Sequence, residues 1–291
     1  MHIIIIGGKG MLGSDLVDEV TRRGGVATVL DLPEFDITKP EGLAGRLPVA
    51  DAVINCAAYT RVDDAESDRD LCWKINADAA GHVARACADR GLPLLHLSTD
   101  YVFDGTKGAP YREDDPVAPL NHYGASKLEG ERLVQQAGGA ARIVRTQSLF
   151  GLRGRNFVRA ILGQLQQGKT ELRVVADQVS APTYTRHLAK ALLDLAQLSP
   201  ASGIVNVSAT GACSWWEFAR AIVERTRPGV VVEKRSSADM NYPARRPAFS
   251  VLDPTHLHQL IGRTLPGWQE GLDAYLAEEP LTAIVKQSAA G

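Results

Sequence analysis

The sequence predicts an α/β protein: a doubly wound parallel sheet carrying a smaller C-terminal lobe. Three observations support this. Short β-branched runs alternate with amphipathic helical stretches through the first 150 residues, the order expected of a parallel sheet. A glycine-rich turn follows the first run directly. After Gly151 the alternation gives way to short strand-like pieces and to loops marked by proline and glycine.

Ile3 to Ile6 is the first strand, too short and too β-branched for a helix and closed by glycines. Gly7-Gly8-Lys9-Gly10-Met11-Leu12-Gly13 then sets glycines at 7, 10 and 13 at the opening of a helix over Met11 to Arg23. This is the Rossmann-type position for a dinucleotide pyrophosphate. Glycines permit a tight turn and close backbone approach, and the helix N-terminus offers free N–H groups and partial positive charge. Val26 to Leu30 is the second strand, closed by Asp31. A carboxylate there would accept the ribose 2′-hydroxyl and repel a 2′-phosphate, favouring NADH over NADPH; capping the turn Asp31-Leu32-Pro33 is the competing role. Lys9, Arg22 and Arg23 could soften that preference.

Ala52 to Ile54 ends the third strand, a helix runs around Asp70 to Arg90, and Leu92 to Leu97 is the fourth strand. Ser98-Thr99-Asp100-Tyr101-Val102-Phe103-Asp104-Gly105 follows at its C-terminal end, the edge where such sheets bind ligands. A helix from Tyr123 to Gln136 and a strand from Ala141 to Thr146 complete the sheet. In that helix Tyr123 precedes Lys127 by four residues, which puts a phenol and an ammonium on one face. A phenol with an ordinary pKa of about 10 is a poor acid–base group at neutral pH, and a nearby cation moves it towards working range. The spacing alone also describes many surface pairs. With Thr99 it forms a Thr/Tyr/Lys set suited to protonating a developing alkoxide.

Helices are expected near Asn156 to Gln167, His187 to Leu198 and Trp215 to Arg225, the second of these returning to flank the main sheet. The expected division is therefore 1–150, a nucleotide-binding domain with return elements near 180–200, and 151–291, mainly a substrate-binding lobe. Trp215, Trp216 and Phe218 read as core packing of that lobe, His96 as a satisfied core histidine, and the tail after Leu281 as loosely ordered.

With 45% hydrophobic and 23% charged residues and a net charge of −2, the chain has no basic footprint for nucleic acid or an anionic membrane. No apolar run is long enough to span a bilayer and the first residues lack a signal peptide, so a cytoplasmic protein is expected. Cys56, Cys72, Cys87 and Cys213 lack metal-ligand or Cys-x-x-Cys spacing and read as reduced thiols.

These residues resemble the extended short-chain dehydrogenases/reductases and, within them, the dTDP-4-dehydrorhamnose reductases. The similar segments span nearly the whole chain: Gly7 to Gly13, Asn55 to Glu66, Asn76, Ser98 to Gly105, Tyr123 to Lys127 with Gly130 and Glu131, Arg145-Thr146, Asn156-Phe157, Asp177-Gln178 with Ala181 to Thr183, and Tyr242 to Pro247. The resemblance implies that Gly7, Gly10, Met11, Leu12 and Gly13 hold the pyrophosphate of NADH or NADPH, and Asp31, Asp36 and Ile37 its adenosine end. Ala58, Tyr59, Thr60 and Leu97 would face its middle and nicotinamide half. Catalysis would fall to Thr99 on the substrate carbonyl, Tyr123 as proton donor, and Lys127 holding the ribose and lowering the phenol pKa. Val62, Thr99, Asp100, Tyr101, Ser148, Asn156 and Arg246 would lie near a dTDP-sugar, with Arg245 and Arg246 suited to a diphosphate.

Ser148 departs from the pattern, standing where the family has a substrate-facing tryptophan. Asp15 and Arg186 stand at positions where some members carry magnesium-binding glutamates of a dimer; arginine cannot ligate the ion, so no metal is expected, in a monomer or a homodimer. A 4,6-dehydratase would need a glutamate where Tyr101 follows Asp100. Epimerases share the Tyr/Lys pair, and a regulatory, non-catalytic homologue would not need Thr99, Tyr123 and Lys127 together. The expectation is thus an NAD(P)H-dependent oxidoreductase of nucleotide-sugar and cell-surface polysaccharide biosynthesis, forming dTDP-L-rhamnose or acting on a related dTDP-4-keto-deoxysugar.

Overall fold

The isoleucine run forms β1 (His2–Ile6) in the interior of a six-stranded sheet, where Ile3 to Ile6 are buried on both faces. An all-apolar strand is stable where both faces are covered. This computed structural model describes residues 1–198 and 200–278; the tail after Leu281 lies outside them. The chain continues through α1 (Met11–Arg22), β2 (Val26–Leu30), the short α2 (Leu43–Arg46) and β3 (Ala52–Asn55). It then forms α3 (Arg69–Trp73), α4 (Ala79–Asp89), β4 (Leu94–Thr99), α5 (His122–Gln136) and β5 (Ala141–Thr146).

Two expected elements differ. The helix around 70–90 is interrupted by a π-helical turn, Lys74–Asp78, between α3 and α4. The fourth strand starts at Leu94 rather than Leu92, because Gly91 turns with φ +63° and Pro93 has no N–H to give a ladder.

Beyond β5 come β6 (Leu149–Phe150), α6 (Phe157–Gln166), β7 (Glu171–Val175), β8 (Val179–Ser180), β9 (Thr183–Tyr184) and α7 (Thr185–Ala196). β10 (Gly203–Asn206), β11 (Cys213–Ser214), α8 (Trp215–Thr226), β12 (Val231–Arg235), α9 (Thr255–Ile261) and α10 (Trp268–Glu278) follow.

The main sheet runs β10-β5-β4-β3-β1-β2, all parallel, with Ile3 paired to both Ala27 and Ala52 and Thr99 to Thr146. Its direction of winding reverses between β1 and β3. A crevice at the C-terminal ends of these strands follows from that reversal. Helices α1 and α7 cover one face through Leu16, Val20, Leu188 and Leu192, while α4 and α5 cover the other through Val83 and Val134. The sixth strand, β10, is a finding the sequence did not announce: four residues from far down the chain extend the β5 edge, Val205 opposite Val144.

The remaining elements build a second core from Phe150, Leu162, Phe218, Ile222 and Tyr275, with small sheets β7/β12, β8/β11 and β6/β9 around it. Helix α8 starts with a capping box between Ser214 and Glu217.

Helix α5 lies close against the π turn. A Cβ at Gly130 would sit 2.1 Å from the Asn76 carbonyl oxygen. Gly130→Ala is therefore expected to force the two elements apart and lower unfolding stability by about 1–3 kcal/mol, read as a shift in the urea midpoint.

Candidate active site

The glycine turn meets the geometric demands of a phosphate cradle. Gly7 has φ +77°, and a Cβ there would lie 2.8 Å from the Ala57 nitrogen; at Gly13 it would lie 2.3 Å from the Gly7 carbonyl oxygen. Only glycine lets α1 seat this closely on β1. No side chain caps the start of α1 at Gly10, which leaves the amides of the first turn, from Met11 to Gly13, suited to an anion.

Asp31 has a local task. Its Oδ2 accepts from the Lys9 backbone N–H at 2.8 Å and its Oδ1 from the Leu32 N–H at 2.8 Å, so the carboxylate pins the glycine turn to the end of β2. Lys9 Nζ donates to the Leu32 carbonyl, and Arg22 and Arg23 pair with Glu19, whose carboxyl they hold down to about 2. Asp36 accepts from Thr38, and Ile37 is buried in the core. Asp31→Asn is expected to raise KM for NADH and NADPH together, within about tenfold, because one capping bond of ~1 kcal/mol is lost from a turn both nucleotides would use. Steady-state titration of each nucleotide checks this.

The loop after β3 carries Ala58, Tyr59, Thr60 and Val62. Asn76, in the π turn, clamps it: Asn76 Oδ1 accepts from Tyr59 N–H at 2.9 Å, and Nδ2 donates to the Tyr59 carbonyl at 3.0 Å and to Ser126 Oγ at 3.1 Å. One side chain thus ties the loop to α5, and a lone asparagine in a helical stretch gives little warning of it.

Helix α5 is capped by Asn121, which accepts from Gly124 N–H at 2.8 Å and donates to the Arg245 carbonyl at 2.7 Å. Tyr123 and Lys127 lie one turn apart on it. Lys127 is 2% exposed and its Nζ donates to the Leu97 carbonyl oxygen at 2.6 Å. Burial depresses the ammonium to about 8, against the opposing pull of Glu131. The Tyr123 phenol lies against the Thr99 hydroxyl and edge-on to the Tyr101 ring, 5.9 Å between centroids.

Burial pushes the Tyr123 phenol up, opposite to the sequence expectation that the lysine would bring it down. The reason is burial: desolvation is the largest influence on the phenol and outweighs the hydrogen bond from Thr99. A raised phenol stays protonated through neutral pH.

Beneath the pair, Glu131 accepts from Ser98 Oγ at 2.5 Å and from Arg145 at 2.7 and 2.9 Å, an ion pair 3% exposed on each side chain. Asp100, next to Thr99, is 2% exposed and pushed up to about 7 by burial. His96 is held neutral by burial; Nδ1 meets Asn55 at 3.2 Å, but Nε2 has no hydrogen-bond partner, so this core histidine is only half satisfied.

Tyr101, Ser148, Gln178, Ser180, Trp215 and Ser250 line a small cavity of about 10 Å³. Ser148 adopts φ +47°, and its hydroxyl meets that of Ser180 at 2.8 Å. Trp215 packs on Phe157 at 4.7 Å and forms part of the cavity wall, whereas Phe218 is buried in the core and Trp216 donates to the Val232 carbonyl. All three pack on the second core, as expected, and Trp215 reaches the cavity wall as well. Gln178 lies in the Asp177-Gln178 segment that carries the resemblance, whereas Ser180 and Ser250 were not singled out by the sequence.

Asn156 caps α6, accepting from Arg159 N–H and donating to the Gly151 carbonyl at 2.8 Å. Arg246 pairs with Asp63 at 2.7 Å and stacks on Tyr242 at 4.2 Å; Arg245 is exposed. Remote from these, Asp15 lies 3.7 Å from Arg186 and accepts from Thr185 Oγ1 at 2.5 Å. Among the described residues no group of three His, Cys, Asp or Glu side chains is placed to hold a metal ion, and no helix is long and apolar enough to cross a membrane. All four cysteines are free.

Comparison with known proteins agrees with this geometry. The family model described as RmlD substrate binding domain matches residues 1–280. A dTDP-4-dehydrorhamnose reductase of Burkholderia thailandensis is 41% identical over 288 residues, spanning 92% of this chain and 96% of the relative. Its counterpart in Mycobacterium tuberculosis is 38% identical over 289 residues, spanning 95% and 92%. Among solved structures, dTDP-4-dehydrorhamnose reductase from Bacillus anthracis in complex with NADP superposes with a TM-score of 0.90 at 36% identity, covering 95% of this chain and 99% of that one. The fold, the glycine cradle and these matches agree that the chain belongs to the RmlD family, among relatives that are dTDP-4-dehydrorhamnose reductases.

Proposed function

We propose that this protein is an NAD(P)H-dependent oxidoreductase that reduces the C4 ketone of dTDP-4-dehydro-6-deoxy-L-mannose to give dTDP-L-rhamnose. The observation that carries the reading is the buried Lys127, one helical turn from a Tyr123 phenol that lies against Thr99 at the ligand-binding edge of the sheet. The bound dihydronicotinamide supplies hydride to the ketone carbon. Tyr123, kept neutral by burial, gives its proton to the C4 oxygen, and Thr99 donates a hydrogen bond to that oxygen. Lys127 holds the nicotinamide ribose and gives positive charge beneath the phenol.

In this reading Gly7, Gly10, Met11, Leu12 and Gly13 bind the pyrophosphate, Asp31, Asp36 and Ile37 the adenosine end, and Ala58, Tyr59, Thr60 and Leu97 the remainder. Val62, Asp100, Tyr101, Ser148, Asn156 and Arg246 face the dTDP-sugar, which sits between a nucleotide-binding domain built on residues 1–150 and a substrate lobe formed mainly by residues after 151. Ser148, standing where the family has a tryptophan, favours one second reading, a reductase of another dTDP-4-keto-deoxysugar. The test is loss of dihydronicotinamide absorbance with the keto-sugar generated in situ, NADH and NADPH compared. Sugar-dependent oxidation supports the reading; none with either nucleotide overturns it.

A further inference from the structure

We propose that Asp100, as a neutral carboxylic acid, is a positioning residue that turns the Thr99 hydroxyl hydrogen outward to the substrate oxygen, and that its ionisation turns that hydrogen inward and slows the reaction. This rests on the reductase reading above.

The argument is a count of hydrogens. A threonine hydroxyl has one hydrogen to donate and two lone pairs to accept with. One lone pair of Thr99 Oγ1 takes the Tyr101 backbone N–H at 3.2 Å. Its next contact is Asp100 Oδ1 at 3.1 Å. A carboxylate only accepts, so with Asp100 ionised that contact can be filled only by the Thr99 hydrogen. The hydroxyl then has nothing left to donate to a substrate carbonyl. With Asp100 protonated on Oδ1, the acid donates to the second lone pair, and the Thr99 hydrogen is free to point at the cleft, where Tyr123 lies.

The surroundings favour the neutral acid. Asp100 is 2% exposed, and its Oδ2 has no hydrogen-bond partner, an expensive position for a charged oxygen. The groups around it are accounted for element by element. On its own turn stands Tyr101, a phenol. From α5 come Tyr123, which a carboxylate here would hinder from ionising, and Lys127, whose ammonium is committed to the Leu97 carbonyl. From the 244–247 segment comes Arg246, turned onto Asp63. Ser250, the Thr99 hydroxyl and the backbone N–H groups of Asp100 and Tyr101 all oppose the rise without offsetting burial. Arg246 is thus paired with Asp63, and burial pushes the Asp100 carboxyl up to about 7.

The sign follows from the linkage. Below that value Asp100 carries the proton and Thr99 faces the substrate; above it the hydroxyl turns away, so kcat/KM falls as pH rises through neutrality. Asp100→Asn keeps the shape, presents an N–H donor to Thr99 at every pH and cannot ionise. Its alkaline limb is expected to move up to that of Lys127, near 8. Each normalised to its own acid plateau, the variant should exceed wild type by about tenfold one pH unit above the wild-type alkaline midpoint, the effect of a single ionisation. In Thr99→Val the neutral limb should be absent, and adding Asp100→Asn should change the profile no further.

The experiment is the pH profile of kcat/KM for wild type, Asp100→Asn, Thr99→Val and the double variant. Sugar-dependent turnover by wild type at pH 6 comes first; its absence would remove the reductase reading and this inference with it. Given that turnover, an Asp100→Asn profile that keeps the wild-type alkaline midpoint, or a Thr99→Val profile that retains the neutral limb, overturns the inference alone. A purely structural role for Asp100 would lower the plateau and leave the midpoint in place. If Asp100→Asn fails to fold, the Thr99→Val limb still decides.

Discussion

Tyr123→Phe is expected to lower kcat by about 10²–10⁴-fold, the usual worth of a positioned general acid, while nucleotide affinity stays as in wild type. The ring is retained, so the edge-on contact with Tyr101 at 5.9 Å survives and α5 keeps its packing. What disappears is the one hydrogen that the mechanism delivers to the C4 oxygen. Lys127 still donates to the Leu97 carbonyl, and the glycine cradle is untouched, so a nucleotide still finds its site. Rapid-quench turnover measured beside NADPH fluorescence titration separates the two effects. Turnover within a few-fold of wild type would mean that another group, or water, supplies the proton.

Arg145→Met is expected to cost about 3–5 kcal/mol of unfolding stability, the penalty for stranding one member of a buried ion pair. Glu131, 2% exposed in the structure, would keep only the Ser98 Oγ hydrogen bond and the more distant Lys127 charge, and the contacts of the guanidinium with the Glu113 carbonyl and the Phe103 ring would go too. Adding Glu131→Gln should recover part of the loss, because the uncompensated charge is removed. Urea denaturation of the single and double variants gives both numbers. Activity should suffer as well: Glu131 stands one helical turn past Lys127 and raises its ammonium, so neutralising Glu131 moves the loss of that charge to lower pH. A single variant as stable as wild type would show the pair to be replaceable.

Local chemistry made much of this legible in the sequence. Ile3 to Ile6 read as a buried parallel strand because β-branched residues bounded by glycines leave little else; glycines at 7, 10 and 13 and the Tyr123/Lys127 interval are periodicities set by one turn or one helix. The features that escaped depend on partners far along the chain. β10 has four residues and becomes a strand only by pairing with β5. Asn76 matters because a π turn aims it at Tyr59 and Ser126, and that turn interrupts what looks like an unbroken helix. The local task of Asp31 was half legible: the sequence offered a turn cap beside a ribose ligand, but not that its oxygens serve the Lys9 and Leu32 amides together. Arg246 and Asn156 likewise carry partners of their own, Asp63 and the start of α6. The direction of the Tyr123 shift was misjudged for the same reason: sequence shows a lysine one turn away, while only three dimensions show how deeply the phenol is desolvated.

Hydride transfer to C4 is the central claim, and isotope tracing tests it most directly. With NADPH or NADH carrying deuterium at the transferring position and the keto-sugar generated in situ, the product should be dTDP-L-rhamnose with deuterium at C4 of the sugar, seen by NMR as loss of the H4 resonance. A 4-epimeric product, deuterium at another carbon, or nucleotide left unoxidised while the keto-sugar persists would contradict it.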